Sequence, residues 1–213
     1  VYTGTRADHK RALCDEDMKK VFTKLSSSSA VPTTVRRAQE LFILMFLLRG
    51  LPFVDLAYLR KSDLRDNVIT YRRRKTGRPL SVTLTPEALE LLKKYMNRDS
   101  HSPYLFSLLK SGEGTKEAYR EYQLALRSFN QQLTLLGEVL GLNDRLSSYT
   151  ARHTWATTAY YCEIHPGIIS EAMGHSSIKV TETYLKPFRN KKIDEANNQI
   201  IDFVKHSIAG VVS

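Results

Sequence analysis

Cysteine is almost missing from this 213-residue chain, and Cys14 and Cys162 alone can supply neither a disulfide framework nor a zinc ligand set. So little cysteine fits a reducing compartment. Long apolar runs are missing too: the longest, from Leu41 to Leu48, has eight residues, against the roughly 20 that a membrane span needs. No membrane association is expected. Acidic side chains are the scarcer charge, 22 against 32 Lys and Arg, which leaves a net charge of +10 and a pI near 9.6. Repeats are absent, and the only low-complexity tract is Ser26 to Ser29. A hydrophobic content of 42% with interspersed charges disfavours a disordered chain. The length suits one sizeable domain that buries roughly 70% of its unfolded surface. The chain opens on Val1 and carries Arg6, Asp8, His9, Lys10 and Arg11 where a signal peptide would be apolar. It is therefore expected to be a piece of a longer protein that has lost its N-terminal part.

Periodicity and capping signals predict a mainly α fold with one small antiparallel sheet, an α+β class. A helix is predicted over 15–25, acidic at its start and basic toward its end. A second, capped by Thr33 or Thr34, runs to Arg49 and stops at Gly50; it is apolar nearly all round and should be the central core helix. Pro52 opens a short helix that leads to the basic link 60–65. Residues 67–84 read as a β-hairpin with its turn at 76–78. Thr85-Pro86-Glu87 starts the next helix. Residues 110–116 are the best candidate for a mobile loop. A long amphipathic helix follows over about 117–142, then shorter ones over 149–162, 166–173 and 178–185, and a last amphipathic helix over 190–207.

Charge concentrates between Arg60 and Arg78, where eight cations face only Asp63 and Asp66. A solvated strand pair can carry such charge. In a chain this basic, with Tyr71 among the cations, contact with a phosphate backbone is the stronger reading, and Arg72, Arg73, Arg74 and Arg78 are the candidate DNA-binding residues.

The stretch 149–188 is the most informative. Arg152-His153 opens the run R-H-T-W-A-T, Gly174-His175-Ser176 follows with His175 23 residues after Arg152, and Tyr184 comes nine residues after His175. In this order and spacing, with Lys75 in a basic hairpin upstream, the chain closely resembles the catalytic half of the tyrosine recombinases, the phage-integrase superfamily, over about 15–188. The resemblance implies the tyrosine-recombinase catalytic-domain fold. It also implies a site-specific DNA recombinase that cleaves and rejoins strands through a covalent 3′-phosphotyrosyl intermediate, without metal or cofactor.

The chemistry accounts for the residue types. Tyr184 is the implied nucleophile, whose phenol, with a usual pKa of about 10, needs help to lose its proton. Arg152 offers bidentate, permanently charged contact to the nonbridging oxygens, and His175 can donate to the same phosphate. Lys75 stands where the family carries a general acid for the leaving 5′ oxygen, with Arg74 as its main rival.

Two departures from the family pattern stand out. Its first arginine usually follows Gly-Leu, but Gly50-Leu51 is followed here by Pro52; Arg49 is the expected substitute, with Asp55 at the family's acidic position orienting it. Alternatively, Arg49 merely neutralises the dipole at its helix end. Tyr149 stands three residues before Arg152, where most members have histidine; its hydroxyl can still donate to phosphate, but it is a poor general base at neutral pH. His153 is expected to pack and His165 to start a helix.

The expected organisation is a catalytic domain over 1–188 and a helical tail over 189–213 exchanged between protomers, with the family's core-binding domain missing. Expected partners are double-stranded DNA at attachment sites and further copies of the chain, a tetramer on DNA and a monomer when free. The expected location is the bacterial cytoplasm, associated with the nucleoid, and the expected origin a mobile element. The alternatives are a type IB topoisomerase-like relaxing enzyme and an inactive DNA-binding regulator derived from a recombinase.

Overall fold

The computed structural model describes residues 12–23, 31–183 and 190–209. Helix α2 (Thr33–Leu47) is central, burying Val35, Ala38, Leu41, Phe42, Leu44 and Met45, and it packs against α1 (Asp15–Phe22), α4 (Pro86–Tyr95), α5 (Lys116–Leu140) and α6 (Thr150–Tyr161). Its predicted threonine cap does not form. Pro32 occupies the cap position, its carbonyl accepting from Val35 N and Arg36 N at 3.0 and 3.2 Å. Helix α1 ends at Phe22, three residues early, and buried Gln39 secures that end by donating to the carbonyls of Val21 and Thr23 at 2.7 and 3.0 Å.

Beyond Leu48 the chain takes two successive left-handed residues, Arg49 (φ 58°) and Gly50 (φ 68°), and doubles back into α3 (Phe53–Tyr58), for which Pro52 is the cap. The sheet has three strands rather than two, in the order β1 (Leu64–Arg65), β2 (Val68–Arg72), β3 (Pro79–Thr83), all antiparallel. Just past the expected basic link, Asp66 (φ 47°) and Asn67 (φ 61°) form a tight turn of the kind that needs two left-handed residues, which Asp and Asn tolerate. Ile69 and Tyr71 face the core while Thr70 and Arg72 face outward, the period of two of a half-buried strand.

Thr85 caps α4 as predicted, accepting from Ala88 N, and Thr115 caps α5, which stops at left-handed Gly141. The loop expected to be mobile is anchored: Glu113 pairs with Arg60 and Arg74, and Glu121 accepts from the amides of Lys110 and Ser111. Helix α7 (Pro166–Met173) begins and ends where proline and glycine place it, and the His165 ring caps it by accepting from Gly167 N at 3.0 Å. Helices α8 (Ile178–Glu182) and α9 (Asn190–Ala209) follow. No helix among the described residues is long and apolar enough to cross a membrane.

Candidate active site

Arg152 sits in the first turn of α6 and is only 2% exposed. Burying a guanidinium demands hydrogen-bond acceptors, and two backbone ends supply them: Nη1 donates to the Gly50 carbonyl at 2.9 Å and Nη2 to the Met173 carbonyl at 2.7 Å. The approach is close. A Cβ on Gly50 would lie 2.9 Å from the Arg152 Cα, so glycine at this left-handed position lets α6 ride on the end of α2. Arg152 thereby joins the end of α2 to the end of α7.

That end of α7 presents His175. Gly174 terminates the helix in the left-handed conformation (φ 64°), and His175 turns inward to 4% exposure, its Nδ1 2.8 Å from the Thr181 hydroxyl on α8. Burial, and after it the charges of Arg152, Arg73, Lys75 and Arg78, push its pKa down to about 3. The imidazole is therefore neutral at pH 7. In the tautomer in which the Thr181 hydroxyl donates to Nδ1, the ring carries its proton on Nε2 and can donate from there.

The tip of the β2–β3 hairpin docks on this same turn. Thr76 Oγ1 donates to the Gly174 carbonyl at 3.1 Å and Arg78 Nη2 to the Ser176 carbonyl at 3.4 Å. Lys75 lies in that tip, exposed, and is among the cations that depress the His175 pKa. The hairpin thus brings its lysine to the histidine turn across a separation of about a hundred residues.

Two expectations for the arginines need correcting. Asp55 does not orient Arg49. Its buried carboxylate accepts from Arg73 Nη1 and from Arg74 N at 3.0 Å, while Arg49, half-buried, donates from Nη1 to the Ser81 carbonyl at 3.2 Å. Nor does Arg73 share the exposure of Arg72, Arg74 and Arg78, its fellow candidates for DNA binding, for it is 5% exposed. The reason is register: Ile69, Tyr71 and Arg73 continue the buried face of β2, and Arg72 and Arg74 fall on the open face. Arg72 donates to the Gly77 carbonyl at 3.2 Å; Arg74 pairs with Glu113 at 2.5 Å and lies 3.7 Å over the Tyr58 ring. The alternation from Ile69 onward was the available signal for Arg73, and it needed only one more step along the strand. Thr181 and Glu113 carried no such signal.

Tyr149 stands at the cap position of α6, exposed, with its ring edge-on to that of half-buried His153 at 4.9 Å. Tyr184 lies outside the described residues. No group of three or more His, Cys, Asp or Glu among the described residues could hold a metal ion.

A mainly helical domain with a small antiparallel sheet, in which a buried arginine and histidine meet a lysine-bearing hairpin, is built as a tyrosine-recombinase catalytic domain. Residues 12–191 match the model of the Phage integrase family, and the chain belongs to that family. It is 27% identical over 179 residues to the tyrosine recombinase XerA of Thermococcus onnurineus, covering 83% of this chain and 58% of that protein. With the tyrosine recombinase XerC of Haemophilus ducreyi it shares 29% identity over 134 residues, 61% of this chain and 42% of the relative. The chain thus spans about half the length of the curated relatives it matches. Among solved structures, the Tn1549 transposon integrase in complex with transposon right end DNA superposes with a TM-score of 0.64 at 13% identity, over 92% of this chain and 68% of that one. A crystal structure of a XerA recombinase gives 0.59 at 20% identity, over 88% and 64%.

Proposed function

We propose that this chain is the catalytic domain of a site-specific DNA recombinase of a mobile element, acting through a covalent 3′-phosphotyrosyl intermediate. The observation that carries the reading is the convergence of buried Arg152 and neutral His175 with the docked hairpin of Lys75. Tyr184 Oη attacks the scissile phosphorus as the bond to the 5′ oxygen breaks. The tyrosine proton passes to solvent water, and Lys75 protonates the leaving alkoxide. Arg152 and His175 hold the nonbridging oxygens as charge builds on them, with Arg49 a further cation beside them and Tyr149 a hydroxyl donor. The phosphotyrosyl bond conserves the energy of the broken one, so rejoining needs no nucleotide.

Double-stranded DNA at attachment sites is the proposed substrate, met by Arg72, Arg74 and Arg78 on the open side of the hairpin, and the bacterial cytoplasm the proposed location. The catalytic domain would occupy 1–188, with 189–213 as a tail that docks on a neighbouring copy in a tetramer on DNA, the free chain being a monomer. The side chains of Ile193, Ile200, Phe203 and Val204 on α9 are 48–75% exposed, which favours such an exchange.

A duplex nicked beside the scissile phosphate tests the reading, because the released fragment diffuses away and traps the adduct. The chain should be captured covalently, and Tyr184→Phe should bind the same DNA without cross-linking. A wild-type chain that binds but never cross-links would instead be a regulator without activity. Relaxation of supercoils without strand exchange between duplexes would favour the topoisomerase alternative.

A further inference from the structure

We propose that Arg73 is the second phosphate-binding guanidinium of this site, filling the place left empty by proline at position 52. The inference rests on the recombinase reading above and names a catalytic residue for it.

Four observations meet at this side chain. Arg73 is buried although it comes from a hairpin tip rich in exposed cations. Its Nη1 is fixed by the buried carboxylate of Asp55, the acid expected to orient an arginine at this site. Its Nε–H has no acceptor among the described residues. Buried donors are nearly always paired, and an orphan on a rigidly held guanidinium marks the position of an acceptor that arrives later. Finally, Arg73 belongs to the His175 centre. A Cβ on Gly174 would lie 2.8 Å from the Arg73 Cγ, so the residue before His175 makes room for this side chain, and among the charges acting on His175 that of Arg73 ranks next after Arg152.

Arg49 has a weaker case. It is half-buried, lacks contact with Asp55 and spends a donor on the Ser81 carbonyl. A guanidinium clamped on one edge by a carboxylate keeps its remaining donors in a fixed plane, the preorganisation that a developing phosphorane oxygen requires.

In the reaction, the bond from phosphorus to the Tyr184 oxygen forms as the bond to the 5′ oxygen breaks. Arg152 and Arg73 then divide the charge that accumulates on the two nonbridging oxygens. A cation with that task becomes dispensable when the phosphate is made neutral. The test therefore compares nicked duplexes carrying either an ordinary phosphodiester or a methylphosphonate at the scissile position, with trapped adduct as the readout. Arg73→Ala should cleave the phosphodiester roughly 100-fold or more slowly than wild type, yet come within about tenfold of wild type on the methylphosphonate. Arg73→Lys keeps a charge for Asp55 and should show the same selectivity with a smaller loss, and it reads the comparison if Arg73→Ala does not fold. Arg49→Ala should lose about tenfold or less on the phosphodiester.

Equal losses on both substrates would make Arg73 a structural partner of Asp55 and overturn the proposal. Wild-type cleavage by Arg73→Ala, or neutral-phosphate rescue at Arg49 alone, would also overturn it. In each of those outcomes the wild-type chain still forms its adduct, so the recombinase reading survives. A wild-type chain that forms no adduct on either duplex would refute that reading and the role of Arg73 with it.

Discussion

The half of the molecule built on α2 and the half built on α6, α7 and α8 are held together by different physics. Around α2 one contiguous apolar cluster runs from Leu13 to Ala151 and includes Phe42, Leu56, Leu105 and Leu133. In the other half the apolar cluster is small, Ala156, Ile169 and Met173, and burial is completed by polar side chains: Arg152, Thr154, Thr157, Ser170, His175 and Thr181. Apolar packing tolerates small shifts, whereas buried polar groups hold only while each finds a partner. The catalytic half is thus assembled by directed bonds onto a scaffold that folds by burial. The seam between the halves, Gly50–Arg152–Met173 and Asp55–Arg73–Gly174, coincides with the candidate site.

Breaking the seam at its buried ion pair should have the largest effect. Asp55→Ala leaves the Arg73 guanidinium buried without its counter-charge, and losing one partner of such a pair costs about 3–5 kcal/mol. Urea unfolding should show this loss, together with failure to form adduct. A loss under about 1 kcal/mol would place the pair in a far wetter setting than its burial implies.

A pair of glycines sharpens the comparison. Gly174 and Gly141 are both left-handed helix stops, but a Cβ on Gly174 meets Arg73 whereas one on Gly141 meets nothing within 4 Å. Gly141→Ala should cost only the left-handed penalty of about 1–2 kcal/mol and leave cleavage intact. Gly174→Ala adds displacement of Arg73 and should slow cleavage by about tenfold or more. Equal cleavage by the two variants would remove Gly174 from the site's construction.

The smallest effect lies on the scaffold's outer face. Arg74 and Arg60 hold the Glu113 carboxyl below the usual carboxylate range, and in return Glu113 neutralises two cations beside the hairpin. Glu113→Gln should tighten DNA binding a few-fold at low salt and steepen the salt dependence by about 0.9 for each phosphate newly contacted. An unchanged slope would mean that neither arginine reaches DNA.

The contrast also explains what was legible in the sequence. Helix α7 was readable to the residue, because Pro166 and Gly174 are local signals. The central role of α2 followed from its apolar run, and Arg152 and His175 from a motif with fixed spacing. Strand β1 was not readable, since two residues carry no period and its tight turn lay in a segment dominated by charge. The partner of Asp55 was misassigned for a similar reason. The family pattern around Gly50-Leu51 favoured Arg49, but strand alternation carries Arg73 inward, and only the docking of the hairpin tip on Asp55 and Gly174 brings it to the carboxylate. The anchoring of residues 110–116 likewise depends on arginines far away in sequence.

On the proposal above, Arg152, Arg73 and His175 form one buried cationic centre shaped for a phosphate. The His175 imidazole reports on it. Its folded pKa, pushed down by burial and neighbouring cations to about 3, lies below the unfolded value near 6.5. The neutral ring therefore supports folding fully above pH 6.5, and that support is lost as pH falls from 6.5 toward 3. An anion in the centre opposes the same cations and must raise the folded pKa. The direct measurement is NMR titration of the His175 ring, free and with a nicked duplex bound, using Tyr184→Phe so that no covalent step intervenes. A neutral ring in the free protein down to about pH 4, with its pKa raised on DNA binding, is the predicted result. An ordinary pKa near 6.5 that DNA leaves unmoved would contradict the account.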